Sequence, residues 1–399
     1  MAHSPPQENP EAGGGVGASA ASGVAMISSL YLHVPFCFHK CHYCDFYSLA
    51  EPEGRTDRHE PFVRALVAEL ERAAGEMRIE ARTVFAGGGT PTLLSPEVWG
   101  LLLYGLDKVL DRSFVKEFTV EANPETVTEE LAGTLVAGGV TRFSIGAQSF
   151  QPRLLKALER WHDPVNVGRS VRILRSAGVR RLNLDLIFAI PGQTLAELDR
   201  DLDEVLALEP EHLSCYGLTY EPNTALTTRL RLGRVRRVEE DLERAMYERV
   251  LERLEGAGYE HYEISNWARP GERCRHNMAY WRNDNWLGVG PGAASHVAGR
   301  RWKNEPHLGR YLSGSPDPPR VDEEELPEHQ RRGELLMLRL RLLEGAELGW
   351  LGALLPEGDW RWAEIEGLVG MGLLERTETH LRLTGQGLFV GDDVVGRLL

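Results

Sequence analysis

Three of the five cysteines in this 399-residue chain, Cys37, Cys41 and Cys44, fall within "CFHKCHYCDF" (37–46). Thiolates are soft metal ligands, and both a zinc site and an iron–sulfur cube ordinarily take four donors. The residues alone leave three readings open. Spacing of i, i+4, i+7 would set the thiols on one helical face as a small buried stripe. The polar His39, Lys40 and His42 and the preceding Pro35-Phe36 favour a loop instead. With His39 or His42 as fourth ligand the trio makes a Cys3His zinc set. In a [4Fe–4S] cube each iron takes one thiolate, and three cysteines leave one iron open.

Further polar candidates recur at intervals: "GGGTPT" (87–92), Glu121 in "TVEANPE", Gln148 in "IGAQSF", Arg160 in "LERWHD" and Asp185 in "NLDLI". The elements that must position them alternate. β-rich runs are predicted at 30–34, 83–86, 117–121, 142–145, 182–188 and 212–218. Amphipathic helical runs are predicted at 60–77, 98–110, 129–137, 165–177 and 195–208. Such alternation argues for a parallel sheet of βαβ units, open or curled into a barrel, with function at the C-terminal strand ends. The cysteines, "GGGTPT", "EANPE" and "GAQSF" follow the first four strands and Asp185 lies within the fifth, so the chain is expected to work around one mouth of one sheet.

The remainder is divided by composition. Residues 1–26, rich in Gly, Ala, Ser and Pro, are expected to form a disordered tail and lack the pattern of a secretory signal. Residues 27–258 form the α/β unit, ending in a long charged helix at 239–256. Residues 259–312 are aromatic- and glycine-rich and loop-like, and 313–328, acidic and Pro-rich, are expected to be a linker. Residues 329–399 suggest a small helical or winged-helix-like domain, taken as structural because no strongly basic recognition helix marks it.

A net charge of −14 argues against a nucleic-acid backbone binder, although "RVRR" (234–237) is a local basic run. No apolar stretch is long enough for a transmembrane segment. Five cysteines in a chain of this length do not make a disulfide framework; their bunching points to a reducing, cytoplasmic setting.

The Cx3CxxC spacing resembles the radical S-adenosylmethionine (SAM) superfamily. The resemblance implies a partial (β/α)6 barrel and a [4Fe–4S] cluster on Cys37, Cys41 and Cys44, with SAM's amino and carboxylate groups on the open iron. It implies that Tyr43 lies near the adenine, and that "GGGTPT", with Gly88, Gly89 and Thr90, approaches the methionyl ammonium. It further implies that Glu121 accepts from the ribose or amino group, that Gln148 and Asp185 bond the ribose hydroxyls, and that Arg160 forks the carboxylate. With "LYLHVPFC" before the cluster and "IPGQT" after the fifth strand, residues 29–390 resemble the oxygen-independent coproporphyrinogen III oxidase group.

That group has two branches. The oxidases carry Cx3CxxCxC, whereas Phe46 stands at the extra cysteine's position here. "YCDF" is similar to the sister branch, the HemW-type haem chaperones. So is "HNMAYW", in which His276, Asn277, Tyr280 and Trp281 form that branch's HNxxYW haem-binding signature. His276 and Tyr280, four apart, share a helical face, and imidazole is a common axial haem ligand. Cys274 is an alternative haem ligand or thioether partner, and Cys215 is expected to be buried in the sixth strand. The resemblance thus implies a carrier of haem, with a [4Fe–4S] cluster and SAM, a reductant for the cluster, and acceptor haem proteins such as those of a respiratory chain. The alternative is oxidative decarboxylation of coproporphyrinogen III, with Tyr31 near the methionine of SAM.

Overall fold

The computed structural model describes residues 25–51 and 55–399. The expected tail falls outside these residues as far as position 24, and its last residue, Met26, opens the first strand.

Six strands run parallel: β1 (Met26–Val34), β2 (Arg78–Gly88), β3 (Glu117–Ala122), β4 (Arg142–Gln148), β5 (Arg181–Phe188) and β6 (His212–Gly217). All seven residues of β4 are buried, as a parallel strand covered on both faces requires. Between the strands lie the helices His59–Glu76, Pro96–Val109, Glu129–Ala137, Val165–Ser176 and Leu195–Ala207, within a residue or two of the predicted spans. Their starts are chemically marked. The Ser95 and Thr128 hydroxyls accept the backbone N–H of Val98 and Leu131, and Thr194 with Glu197 forms a capping box. Their apolar faces (Phe62, Leu66 and Leu70 on the first, Trp99, Leu102 and Leu106 on the second) pack onto the outside of the sheet in one core.

Residues 259–312 are not loop-like. They supply β7 (Glu260–Glu263), β8 (Asn266–Ala268), the helix Arg275–Trp281, β9 (Trp286–Val289), β10 (Ala294–Val297) and β11 (Arg300–Asn304). Within the expected linker, 313–328, lies β12 (Arg320–Glu325), which pairs antiparallel with β11. Opposite charges meet across that pair (Arg300–Glu323, Arg301–Glu324 and Lys303–Asp322), and the acidic face makes a guarded sheet edge. The twelve-stranded sheet described runs β12-β11-β10-β9-β1-β2-β3-β4-β5-β6-β8-β7, a partial barrel extended on both sides.

Beyond it, the helices Glu328–Leu340, Leu348–Leu354 and Arg361–Gly370 pack with a three-stranded antiparallel sheet around Leu336, Ile365, Leu368 and Leu381. Among the described residues no helix is long and apolar enough to cross a membrane.

Candidate functional site

The chain leaves β1 at Val34 and forms a two-residue parallel pairing, Phe36–Cys37 with Leu49–Ala50, that closes the cysteine loop on itself. Within the loop Cys44 N–H donates to Cys41 O at 3.2 Å, and all three thiols are free and half-buried. Burial raises Cys37 above its ordinary value and pushes Cys44 up to about 11, with the neighbouring thiols contributing in both cases. Thiols so placed are poor thiolates until a cation stabilises the anionic form. The Thr90 hydroxyl points at Cys37 Sγ (3.6 Å) and Arg160 Nη1 at Cys41 Sγ (3.7 Å).

The two histidines differ: His42 is engaged, whereas His39 Nε2 has no hydrogen-bond partner among the described residues. The His39 ring stacks on Trp161 at 4.3 Å and 9°, and His42 Nδ1 accepts from Arg229 Nη1 at 3.1 Å. Among the described residues no three His, Cys, Asp or Glu side chains close around one ion. A cube, in which each thiolate takes its own iron, does not ask them to.

Beside the cysteines, the strand ends form a backbone cradle. Gly88 has φ +101°, and a Cβ there would lie 2.4 Å from the His33 ring. A Cβ on Gly87 would lie 2.8 Å from the Glu121 carboxylate, and one on Gly146 would lie 2.7 Å from Gln148 Nε2. Gly88 N–H donates to Glu121 Oε2 at 3.1 Å, the only hydrogen bond to that carboxylate among the described residues. Burial, with the Asp185 carboxylate adding to it, pushes Glu121 up to about 8. Gln148 sits at φ 62° on a bulge where β4 leaves register with β5. Asp185 accepts from Asn183 Nδ2 (2.7 Å) and Ser144 Oγ (3.3 Å), and burial raises its pKa. Arg160 donates to Gly146 O (3.0 Å) and His162 Nδ1 (3.2 Å), fixing its fork between the cysteine loop and the end of β4. Tyr43 packs against the apolar cluster of Leu154, Leu158, Ile190 and Leu226.

The three cysteines, Tyr43, Gly88, Glu121, Gln148, Arg160 and Asp185, with Tyr31, Gly89 and Thr90, line one cavity of 1770 Å³. A cradle without Cβ atoms, a carboxylate with one protein donor and three soft thiols at one rim fit a [4Fe–4S] cluster with SAM beside it.

His33 was not among the residues singled out from sequence. Its Nδ1 meets Tyr31 OH at 3.0 Å, its Nε2 meets Tyr47 O at 2.8 Å, and its ring fills the space that Gly88 leaves. Two-residue alternation with Tyr31 along β1 was the available signal.

The HNxxYW segment lies elsewhere in the barrel. Its helix, Arg275–Trp281, enters from the N-terminal ends of the strands, opposite the cysteines. The Glu117 carboxylate, at the start of β3, accepts the backbone N–H of Arg275 and His276, both at 3.1 Å, as an acid at a helix N-terminus should. His276 is 1% exposed and stacks on Phe85 with ring centroids 5.1 Å apart. Its Nδ1 meets Thr83 Oγ1 at 2.8 Å and its Nε2 meets Tyr280 OH at 3.0 Å, so both ring nitrogens are engaged. Burial lowers its pKa to about 3, which keeps the ring neutral. Asn277, Tyr280 and Trp281 line the floor of the same cavity. The expected single mouth therefore describes the cysteines and the strand-end residues, while the HNxxYW residues close the opposite end. Cys274 is buried against Glu117 (3.5 Å) and Cys215 is buried in β6.

Residues 31–205 match the radical SAM superfamily. The chain is similar to the haem chaperone HemW of Lactococcus lactis (34% identity, covering 93% of this chain and 97% of that protein). It is also similar to that of Mycobacterium tuberculosis (38% identity, covering 93% and 94%). Among solved structures, the coproporphyrinogen III oxidase HemN of Escherichia coli, a radical SAM enzyme, superposes with a TM-score of 0.80 at 19% identity, over 94% of this chain and 90% of that one. At that identity the likeness is one of fold.

Proposed function

Because the chain belongs to the HemW family of haem chaperones, within the radical SAM superfamily, we propose that it binds one haem per chain and hands it to acceptor haem proteins. Cys37, Cys41 and Cys44 would hold a [4Fe–4S] cluster. Gly88, Gly89, Thr90, Glu121, Gln148, Arg160 and Asp185 would hold SAM, with Tyr43 at the adenine. When bound, such a cluster supplies one-electron chemistry to the SAM sulfonium. The chain's own residues prepare the pocket. Glu121 and the bared backbone of Gly87–Gly89 accept from an ammonium, Arg160 offers a charged donor beside Cys41, and Asp185 is held in place by Asn183 and Ser144. His276, Asn277, Tyr280 and Trp281 are proposed as the haem-binding residues, in a cytoplasmic protein whose acceptors include respiratory haem proteins. For His276 to reach an iron, one ring nitrogen must give up its hydrogen bond to Thr83 or Tyr280, which rotation of a side chain can release.

The observation that carries the carrier reading over the oxidase reading is Phe46. Where the oxidase pattern places a further thiol, this chain presents a phenyl ring that is 65% exposed at the rim of the cysteine loop. The test is anaerobic incubation of the reconstituted protein, containing about four irons per chain, with coproporphyrinogen III, SAM and a reductant. The expected result is no protoporphyrinogen; steady turnover would assign the chain to the oxidase branch.

A further inference from the structure

Thr119 on β3 and Arg142 on β4 are register partners across the parallel pair, and both line the cavity. Arg142 is 2% exposed, and it is the only Lys or Arg that the six parallel strands contribute to the cavity wall among the described residues. A guanidinium offers several N–H donors in a planar fork. Arg142 uses one: Nη1 donates to Glu272 O at 3.3 Å, and among the described residues it makes no other hydrogen bond and no ion pair. The Glu272 carboxylate pairs with Arg181 instead, at 2.7 Å.

The polar groups around Arg142 are engaged elsewhere. Glu117 accepts the backbone N–H of Arg275 and His276. His212 uses both ring nitrogens, Nδ1 with Asn183 Oδ1 (2.7 Å) and Nε2 with Tyr262 OH (2.8 Å). Asn183 Nδ2 donates to Asp185 and to Ser144. The exception is Thr119, which is 0% exposed and whose hydroxyl has no partner among the described residues. Burial holds the pKa of His33 at about 4 and that of His212 well below the ordinary histidine value, with Arg142 adding to the latter, so neither ring carries charge. A fixed cation with unused donors and an unpartnered hydroxyl thus stand side by side inside the barrel, in a place that neither the cluster nor the SAM pocket uses.

We propose that Arg142 and Thr119 form a carboxylate subsite that takes a propionate of the haem. The proposal rests on the haem reading above and adds to it the group that orients the ligand. The propionates are the anionic part of an otherwise apolar periphery, and burying one is costly unless a cation of matching geometry receives it. The guanidinium fork matches a carboxylate with two parallel hydrogen bonds. The position suits the HNxxYW helix: Glu272 O, which receives Arg142, lies just ahead of that helix, and Glu117, which holds its first turn, is on the strand next to Arg142. Arg160, the cation at the opposite mouth, is fixed beside Cys41 and is left for the carboxylate of SAM.

The test compares haem with haem dimethyl ester, whose propionates are neutral, by titration of the Soret band at neutral pH. Wild type should prefer haem by about thirtyfold. Arg142→Gln should weaken haem by about that factor and leave the ester unmoved, so that the preference disappears. Arg142→Lys, which keeps the charge without the fork, should recover part of it, and Thr119→Val should weaken haem alone by about fivefold. Should the Gln variant fail to fold, the wild-type comparison and Thr119→Val decide between the outcomes. Equal affinities of wild type for haem and its ester would overturn the proposal. So would a loss in Arg142→Gln that falls equally on both ligands, which a purely structural counter-charge to Glu117 would produce. A wild type that alters the Soret band of neither ligand would instead overturn the haem reading beneath it.

Discussion

Replacing His276 by glutamine probes the floor of the barrel quantitatively. The ring bonds Thr83 and Tyr280, stacks on Phe85, and is 1% exposed. Two buried hydrogen bonds contribute about 1 kcal/mol each and the aromatic contact about another 1 kcal/mol, so His276→Gln should cost about 3 kcal/mol at pH 7.5. Acid should shrink this deficit. Burial lowers the pKa of His276 to about 3 in the folded chain, against an ordinary value of 6.5. Below pH 6.5 the unfolded chain takes up a proton that the folded chain refuses. The stability contributed by the ring is therefore complete above that pH and drains away as pH falls toward the folded value. At about 1.4 kcal/mol per pH unit, the wild type loses about 2 kcal/mol from this residue between pH 6.5 and pH 5, and glutamine loses none. Other buried histidines, such as His33 and His212, are present in both proteins and cancel. Urea unfolding at pH 7.5 and pH 5 measures the two deficits. The expected difference narrows from about 3 to about 1 kcal/mol; a deficit that does not change with pH would show that the imidazole is not held neutral inside the barrel.

Two further outcomes follow from the pocket. Protonation strips Glu121 of the negative charge that would face the SAM ammonium, and its pKa is raised to about 8; SAM binding measured by calorimetry should tighten roughly 15-fold from pH 6.5 to pH 8, and Glu121→Gln should flatten the profile. Gly88→Ala, which sets a Cβ 2.4 Å from the His33 ring at φ +101°, should lower stability by about 2 kcal/mol or more and weaken SAM binding, while Gly100→Ala, with nothing within 4 Å of its Cβ, should be neutral or slightly stabilising in thermal melts.

The βαβ core was legible because its signals are local. Glu129–Ala137 needs only its own apolar spacing and the Thr128 cap, and each polar strand end follows a β-rich run. The extensions of the sheet were not legible, because their partners are remote in sequence. Trp286–Val289 is four residues long and finds its register only against Ser29–Leu32. Arg320–Glu325 looks like solvated linker until Arg300–Asn304 supplies the opposite charges. The types of the site residues were visible and the ends of the barrel they occupy were only partly so. A motif can show that His276 and Tyr280 share a helical face, but the helix's place at the barrel floor depends on Glu117 and Thr83, more than 150 residues earlier.

The haem-carrier account is tested most directly by transfer itself. The haem-loaded chain is mixed with an apo-haem protein across a range of acceptor concentrations, and the Soret band is followed as it moves from donor to acceptor. The account predicts a transfer rate that rises with acceptor concentration, through a complex of the two proteins. A rate independent of acceptor and equal to spontaneous haem loss, or haem that never leaves the chain, would contradict it.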